Sequence, residues 1–469
     1  MKNIENVKEH LIKVLGGKKV VTDQDILDQY GRDETPEIFC KPQIVVRAET
    51  VQDISTTLSI CYEAGIPVTP RGAGTGVTAG AIPVVGGVVL SLERLNRILE
   101  VDTKNMVAIV EPGVITSDIQ QAVGIHGLMY PPDPASLDMC TIGGNIAENA
   151  GGPCAVKYGT TKDYVLGLEF VLSDGTIMQS GGKTVKNAAG YNIIGVLLGS
   201  EGTLAVITKI FLRLIPSPTV TYDILLPFSD MDQAIENVCN ILQRHIIPAA
   251  IEFMDADALQ LVRNYLKYSM PFPDAGAHLL IRLDGHAEAF VAQELEELSK
   301  VVSVENDQMY VAVTSSQKER LWSARRSIRE AIKKESSVFM AEDCVVPRSE
   351  IPDFLRAIKN FCYAHGLRSI MFGHAGDGNV HIDILKGDMD IQVWHDRIPE
   401  IKREIYQRAL DCGGTITGEH GIGYIRRDFL PLAVDQKQIE LMRRIKNAFD
   451  PKNILNPGKV FPKKHTEWS

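Results

Sequence analysis

The first half of the chain alternates short apolar runs with segments of helical periodicity. After Thr50, a residue type that caps helices, apolar side chains recur three or four positions apart as far as Cys61. Turn residues interrupt the β-rich runs between Val84 and Val110, and the turn S-D-G-T separates two runs typical of a hairpin. We expect helices at 51–64 and 116–126, and strands at 66–69, at 168–172, at 176–178 and up to Leu214.

The pattern changes at Pro216-Ser217-Pro218, where we expect a domain boundary. Beyond it the helical segments are longer and the strand-like runs stand further apart. Helices are expected near 231–244, 255–268, 287–301, 316–334, 350–365 and 397–411. Strands are expected at 222–226, 249–253, 278–283, 338–346 and 369–372.

Composition narrows the class of protein. With 469 residues, 45% of them hydrophobic and 23% charged, the chain is a globular protein long enough for two domains. A net charge of -10 and scattered basic residues argue against a nucleic-acid partner. The N-terminus does not resemble a secretory signal, and the longest apolar run, Ile82 to Leu92, is too short to span a bilayer. We therefore expect a cytoplasmic protein without a membrane span.

The spacing of the eight cysteines argues against some kinds of redox site. None of them forms a C-x-x-C pair, which disfavours a zinc ribbon, a redox dithiol or a local iron–sulfur cluster. Any redox chemistry therefore needs a bound cofactor.

Glycine-rich segments mark the candidate cofactor site. In 141–159, paired glycines leave backbone N–H groups free to face an anion, although a small-residue helix packed on a sheet is the alternative. The loop 70–80 departs from the Rossmann fingerprint because Val77 stands where the third glycine belongs, but it can still present amides to a phosphate. The proline-rich segment 130–136 either presents polar side chains rigidly or is a rigid surface loop.

Two further motifs carry metal-ligand residue types. G-H-A-G-D-G-N-V-H at 373–381 places two histidines on a glycine-rich turn and a strand, and G-E-H-G-I-G-Y at 418–424 places a Glu-His pair on another glycine turn. Imidazole and carboxylate are ligands that a borderline divalent metal prefers. The alternative is that His374 and His381 are hydrogen-bonded core residues.

Together, the segments at 70–80, 131–136, 141–159 and 199–208 resemble the FAD-binding half of the vanillyl-alcohol oxidase superfamily. More narrowly, they resemble its branch of D-lactate dehydrogenases and glycolate oxidase D subunits. The resemblance implies an α+β fold with a two-subdomain FAD-binding (PCMH-type) domain over 1–216. It also implies a substrate or cap domain with an antiparallel sheet and helices over 217–448, and a C-terminal segment, 449–469, that returns to the FAD domain.

The same resemblance implies the cofactor residues. Because the first glycine loop lacks the histidine that often tethers flavin in this superfamily, we expect FAD to be bound non-covalently. The residues implied to bind it are Pro70, Arg71, Gly72, Ala73, Gly74, Thr75, Gly76, Pro132, Asp133, Ser136, Thr141, Gly143, Gly144, Asn149, Gly152, Tyr158, Gly159, Glu201, Gly202, Val206, Ile207 and Asn456.

The resemblance also assigns catalytic roles. It implies that His374, His381 and Glu419 bind a divalent metal (zinc, iron or manganese) and that His420 is the base. A metal on the substrate hydroxyl would lower its pKa, so that a histidine can accept the proton while the hydride passes to flavin N5. Arg325 matches the arginine that binds the substrate carboxylate in the family, whereas Arg326 and Arg329 fit exposed helix charges better.

These implications describe an FAD- and metal-dependent D-2-hydroxyacid dehydrogenase. Relatives acting on larger dicarboxylic hydroxy acids have a lysine where the strand V-F-M-A-E-D-C-V-V-P offers acids, which favours D-lactate first and glycolate second. Electrons are expected to pass to a protein partner such as electron-transferring flavoprotein. The alternatives are a glycolate oxidase D subunit working with other flavin and iron–sulfur subunits, an oxidase that uses oxygen directly, and a flavin-bound assembly subunit.

Overall fold

The structure is a computed structural model that describes residues 2–463. The chain divides into two compact units. The first contains the chain up to Ala150, then Thr160–Ser217, then the chain from Glu419 onward. The second contains Gly151–Gly159 and Pro218–Gly418, so that the backbone passes between the units four times.

Two main sheets build the first unit. A four-stranded sheet has the order Val20–Val21, Ile44–Arg47, Val88–Ser91, Val68–Arg71, and its last three strands are parallel. A five-stranded antiparallel sheet has the order Ile98–Asp102, Val107–Val110, Val206–Arg213, Val165–Val171, Ile177–Gly181. Leu128–Met129 pairs separately with Ile215–Pro216. The two sheets correspond to the two small α/β subdomains that the resemblance implies.

Some helices of the first unit pack their apolar faces on these sheets, as the core that Val51–Ala64 shares with the four-stranded sheet shows. Thr50 starts one of them with a capping box, in which its hydroxyl accepts the N–H of Asp53 and the Asp53 carboxylate accepts the N–H of Thr50. Ile54, Leu58 and Cys61 of this helix are fully buried. The α-helices of the unit are Lys2–Leu15, Gln24–Tyr30, Val51–Ala64, Thr116–Gly124, Ile142–Glu148, Ile193–Leu197, Leu430–Ala433 and Gln436–Phe449.

One large antiparallel sheet organises the second unit. Its seven strands have the order Tyr310–Ala312, Val220–Phe228, Ala277–Gly285, Ala250–Asp255, Arg368–His374, Asn379–Leu385, Phe339–Val345. The α-helices are Ala155–Tyr158, Met231–Gln243, Ala256–Tyr265, Glu288–Val301, Ser315–Arg326, Ile328–Glu335, Ile351–Ala364 and Ile391–Asp411. Within the described chain, no helix is long and apolar enough to cross a membrane.

The α+β fold class is confirmed, as are the helix after Thr50, the hairpin around S-D-G-T and the five expected strands of the large sheet. The other two strands of that sheet, Tyr310–Ala312 and Asn379–Leu385, were not predicted. The helix expected at 316–334 is interrupted, because Ser327 ends one helix and a second begins at Ile328. The helix expected at 397–411 begins earlier, at Ile391, with Asp390 as its cap.

Candidate functional site

The first glycine loop follows directly after a strand of the four-stranded sheet. A Cβ atom on Gly72 would collide with the Thr141 hydroxyl, and one on Gly74, whose φ is +77°, would collide with the Arg71 guanidinium. Beside Gly76, in contrast, no described atom outside its two chain neighbours lies within 4 Å of the position that a Cβ would take. The loop is therefore closely packed at one end and open at the other, which suits a backbone cradle for a bound group.

The second glycine segment lies against this loop. Thr141 caps a short helix, and its hydroxyl accepts the N–H of Gly144 at 3.4 Å. The helix ends at Asn149, which is left-handed with φ +54° and accepts the N–H of Lys162 at 2.9 Å. Ser136 lies close to the start of this segment, because its carbonyl accepts the N–H of Cys140, the residue before Thr141, at 2.8 Å.

Segments far apart in sequence meet the same loop. The side-chain amide of Asn456 donates to the carbonyls of Gly80 and Glu201 at 2.9 and 2.8 Å. A Cβ on Gly202 would lie 3.4 Å from the ring of Pro70. The first unit thus brings together these predicted cofactor residues: Pro70, Arg71, Gly72, Gly74, Thr141, Gly144, Glu201, Gly202 and Asn456.

Other predicted cofactor residues have different surroundings. Gly152, Tyr158 and Gly159 belong to the second unit, where the Tyr158 hydroxyl donates to Asp284 at 2.7 Å. Val206 and Ile207 are buried on a strand of the five-stranded sheet. The carbonyl of Pro132 accepts from the side chain of Gln120 at 3.1 Å.

Buried polar side chains line one face of the large sheet in the second unit. His374 is buried, and its Nδ1 lies 2.6 Å from Oε1 of Glu252 on the neighbouring strand. The other oxygen of Glu252 lies 2.8 Å from Nη2 of Arg325. Burial by itself would raise the pKa of Glu252, but His374 and Arg325 outweigh it and lower the pKa. Glu252 is therefore a buried carboxylate that contacts both His374 and Arg325.

His381 lies beside His374 on the next strand. The two imidazole rings are 5.2 Å apart between centroids and nearly perpendicular, at 85°. Nδ1 of His381 is 4.0 Å from Oδ1 of Asp343, and this oxygen accepts a hydrogen bond from Nδ2 of Asn379 at 2.6 Å. Two imidazoles and a carboxylate therefore converge on one face of the sheet, and these ligand types fit a divalent metal.

The Glu-His motif continues directly from this cluster along the chain. Oδ2 of Asp343 accepts the Thr417 hydroxyl at 2.9 Å and the N–H of Gly418 at 3.0 Å. Gly418 is the last residue of the second unit, and Glu419 and His420 open the final segment of the first. Both are partly buried, with Oε1 of Glu419 3.9 Å from Nε2 of His420.

Sequence reasoning missed Glu252 and Asp343 as site residues. The available signal was an acidic residue inside an apolar strand, as in A-A-I-E-F-M-D, because such a carboxylate must find a partner when it is buried. The expectation that Arg329 is an exposed helix charge was wrong, since its Nη1 lies 3.1 Å from the fully buried Asp383. Burial raises the pKa of Asp383 to about 6, although Arg329 opposes this shift.

Comparison with known proteins identifies the family. A family model described as "FAD linked oxidases, C-terminal domain" matches residues 217–460, and another described as "FAD binding domain" matches residues 42–181. The chain belongs to the FAD-linked oxidase family. The resemblance found in the sequence is confirmed, and the protein is an FAD-dependent oxidoreductase.

Relatives match over nearly the whole chain. Glycolate oxidase subunit GlcD of Bacillus subtilis (strain 168) is 40% identical over 461 residues, which cover 98% of this chain and 97% of the relative. D-lactate dehydrogenase of Archaeoglobus fulgidus is 39% identical, covering 93% of this chain and 96% of the relative. The solved structure of p-cresol methylhydroxylase with substrate bound superposes with a TM-score of 0.81 at 18% identity, covering 98% of this chain and 97% of that one. At this identity, the last match shows the fold alone.

Proposed function

We propose that this protein is a D-2-hydroxyacid dehydrogenase that needs both FAD and a divalent metal, with D-lactate as the first substrate and glycolate as the second. The observation that carries the proposal is the pair of buried imidazoles, His374 and His381, 5.2 Å apart beside Asp343. The names of the relatives, a glycolate oxidase subunit and a D-lactate dehydrogenase, support the substrate class.

The residues fit the two groups that the proposal requires. For FAD, the close packing at Gly72 and Gly74 and the open space at Gly76 suit a backbone cradle, and we propose that the bound cofactor is non-covalent. For the metal, Nδ1 of His374 contacts Glu252, and we propose that Nε2 of that ring is its ligand atom. We propose that His374, His381 and Glu419 hold zinc, iron or manganese.

Each residue near the substrate then has a defined task. When bound, the metal would lower the pKa of the substrate hydroxyl and the flavin would supply a hydride acceptor. His420 accepts the hydroxyl proton, because a neutral imidazole is a general base that can accept a proton near neutral pH. Arg325 binds the substrate carboxylate through Nε, which is buried and has no hydrogen-bond partner among residues 2–463.

We propose that the reduced flavin passes its electrons to a protein partner such as electron-transferring flavoprotein. Anaerobic mixing of the protein, loaded with FAD and metal, with D-lactate, L-lactate, glycolate and D-2-hydroxyglutarate tests the activity. We expect D-lactate to bleach the oxidised flavin fastest, and glycolate to follow. Failure of all four acids to bleach it would refute the proposed activity, and rapid reoxidation by an oxygen pulse would identify a direct oxidase instead.

A further inference from the structure

The loop that carries Glu419 and His420 is hydrogen-bonded within the first unit to one carboxyl group. Oε1 of Glu201 accepts the N–H of Ile422 at 2.8 Å, and Oε2 accepts the N–H of Gly423 at 2.6 Å. Two successive amides of this loop therefore share a single acceptor group, only two residues beyond His420. Burial raises the pKa of Glu201, and the hydrogen bonds from Ile422 and Gly423 oppose this shift.

Glu201 is itself fixed by backbone contacts. Its φ is +52°, a left-handed conformation that non-glycine residues adopt at a cost. Its N–H donates to the carbonyl of Ala147 at 2.8 Å, and its own carbonyl accepts from Asn456 at 2.8 Å. The direction of its carboxylate is therefore set by the fold of the first unit, and the carboxylate faces the loop amides.

Glu148 approaches the same loop closely. A Cβ on Gly421, whose φ is +77°, would collide with Oε2 of Glu148 and lie 2.9 Å from Oε1 of Glu201. Oε2 of Glu148 is buried and has no hydrogen-bond partner within the described part of the chain. Burial and the charge of Glu201 raise the pKa of Glu148 well above its usual range, and burial lowers the pKa of nearby Lys459 to about 8.

We propose that Glu201 is a positioning residue that fixes the loop carrying Glu419 and His420, with Glu148 closing the space beside Gly421. The inference rests on the proposed function, because it assigns Glu201 a task in presenting the metal ligand and the base. It gives the Glu201 side chain a role beyond the cofactor contact that the resemblance implies.

Hydrogen exchange in the FAD-loaded protein tests the contact without using substrate. Glu201→Gln leaves one acceptor oxygen for two amides, so we expect residues 419–424 to exchange at least about tenfold faster. Glu111→Gln is the matched control, because Glu111 is also 6% exposed and accepts a backbone N–H, that of Arg97 at 2.9 Å. Unchanged exchange in the loop, or equal acceleration in the control, would overturn the proposal.

Flavin reduction by D-lactate then tests the consequence for the reaction. With FAD content unchanged, Glu201→Gln should lower the limiting rate of reduction at least about tenfold relative to Glu111→Gln, with a smaller change in KM. Faster loop exchange with an undiminished limiting rate would show that Glu201 holds the loop without serving the reaction. If the wild-type flavin is not reduced at all, the proposed function fails, while the exchange result still decides the contact.

A second variant covers the case in which Glu201→Gln does not fold. Gly421→Ala places a methyl group between the carboxylates of Glu148 and Glu201 at a left-handed position. It should also speed exchange at 419–424 and slow reduction. If Gly421→Ala matches the wild type in both measurements, the proposal is wrong.

Discussion

Replacing Glu252 with glutamine should weaken metal binding about 10- to 100-fold while FAD stays bound, because loss of the group that orients a ligand histidine has an effect of this size. Glu252 accepts from Nδ1 of His374 at 2.6 Å, and this contact fixes both the tautomer and the orientation of the ring. A glutamine side chain keeps the shape but not the charge. The ring can then rotate, and its Nε2 is a weaker ligand.

The same substitution should also destabilise the second unit. Glu252 is fully buried and lies 2.8 Å from Nη2 of Arg325, whose side chain is only 9% exposed. Removing one partner of a buried ion pair costs about 3–5 kcal/mol, because the remaining charge stays buried without compensation. Denaturant titration should therefore show a loss of this order in the free energy of unfolding.

Asp223→Asn separates the two effects. Asp223 is also fully buried and pairs with an arginine on a neighbouring strand, with Nε of Arg282 at 2.7 Å. This variant should lose stability but bind zinc or manganese as tightly as the wild type, measured by competition with a chelator of known affinity. If Glu252→Gln binds the metal as tightly as Asp223→Asn does, Glu252 does not orient a metal ligand and the reasoning is refuted.

Three other changes have defined outcomes. Burial lowers the pKa of His278 from 6.5 to about 4. Between these pH values the unfolded chain binds a proton at this residue and the folded chain does not. The free energy of unfolding should therefore fall by about 3 kcal/mol as the pH falls from 6.5 to 4. His278→Gln should lose less stability over this range in denaturant titrations, and equal losses in both proteins would contradict the shift. His420→Ala should keep FAD and metal but slow flavin reduction about 10²- to 10⁴-fold in stopped flow, whereas an unchanged rate removes His420 from the mechanism. Arg325→Lys should raise KM for D-lactate about tenfold in steady-state assays. An unchanged KM would show that another cationic residue binds the substrate carboxylate.

Local signals made the main elements predictable. The helix after Thr50 has its cap, its apolar spacing and its terminal glycine within sixteen consecutive residues, and the structure places it at Val51–Ala64. The interruption at Ser327 was not predictable in this way, because the sequence around it has no proline or glycine. The glycine loops were readable because close approach and left-handed backbone both require glycine.

The partners of the site residues could not be read from the sequence. Glu252 faces His374 because two antiparallel strands place them in register, although the two residues are 122 positions apart. Asp343 lies opposite His381 for the same reason, because their two antiparallel strands are paired in that register. A sequence shows that a buried carboxylate needs a partner, but only the strand order of the sheet determines which partner it has.

The most direct test of the central claim compares metal-free and metal-restored protein in single-turnover flavin reduction. Both samples carry FAD, and each is mixed anaerobically with saturating D-lactate. If His374, His381 and Glu419 hold a metal that activates the substrate hydroxyl, the metal-free sample should keep its oxidised flavin spectrum, and restoring zinc, iron or manganese should restore rapid bleaching. Equal bleaching rates with and without metal would contradict the account.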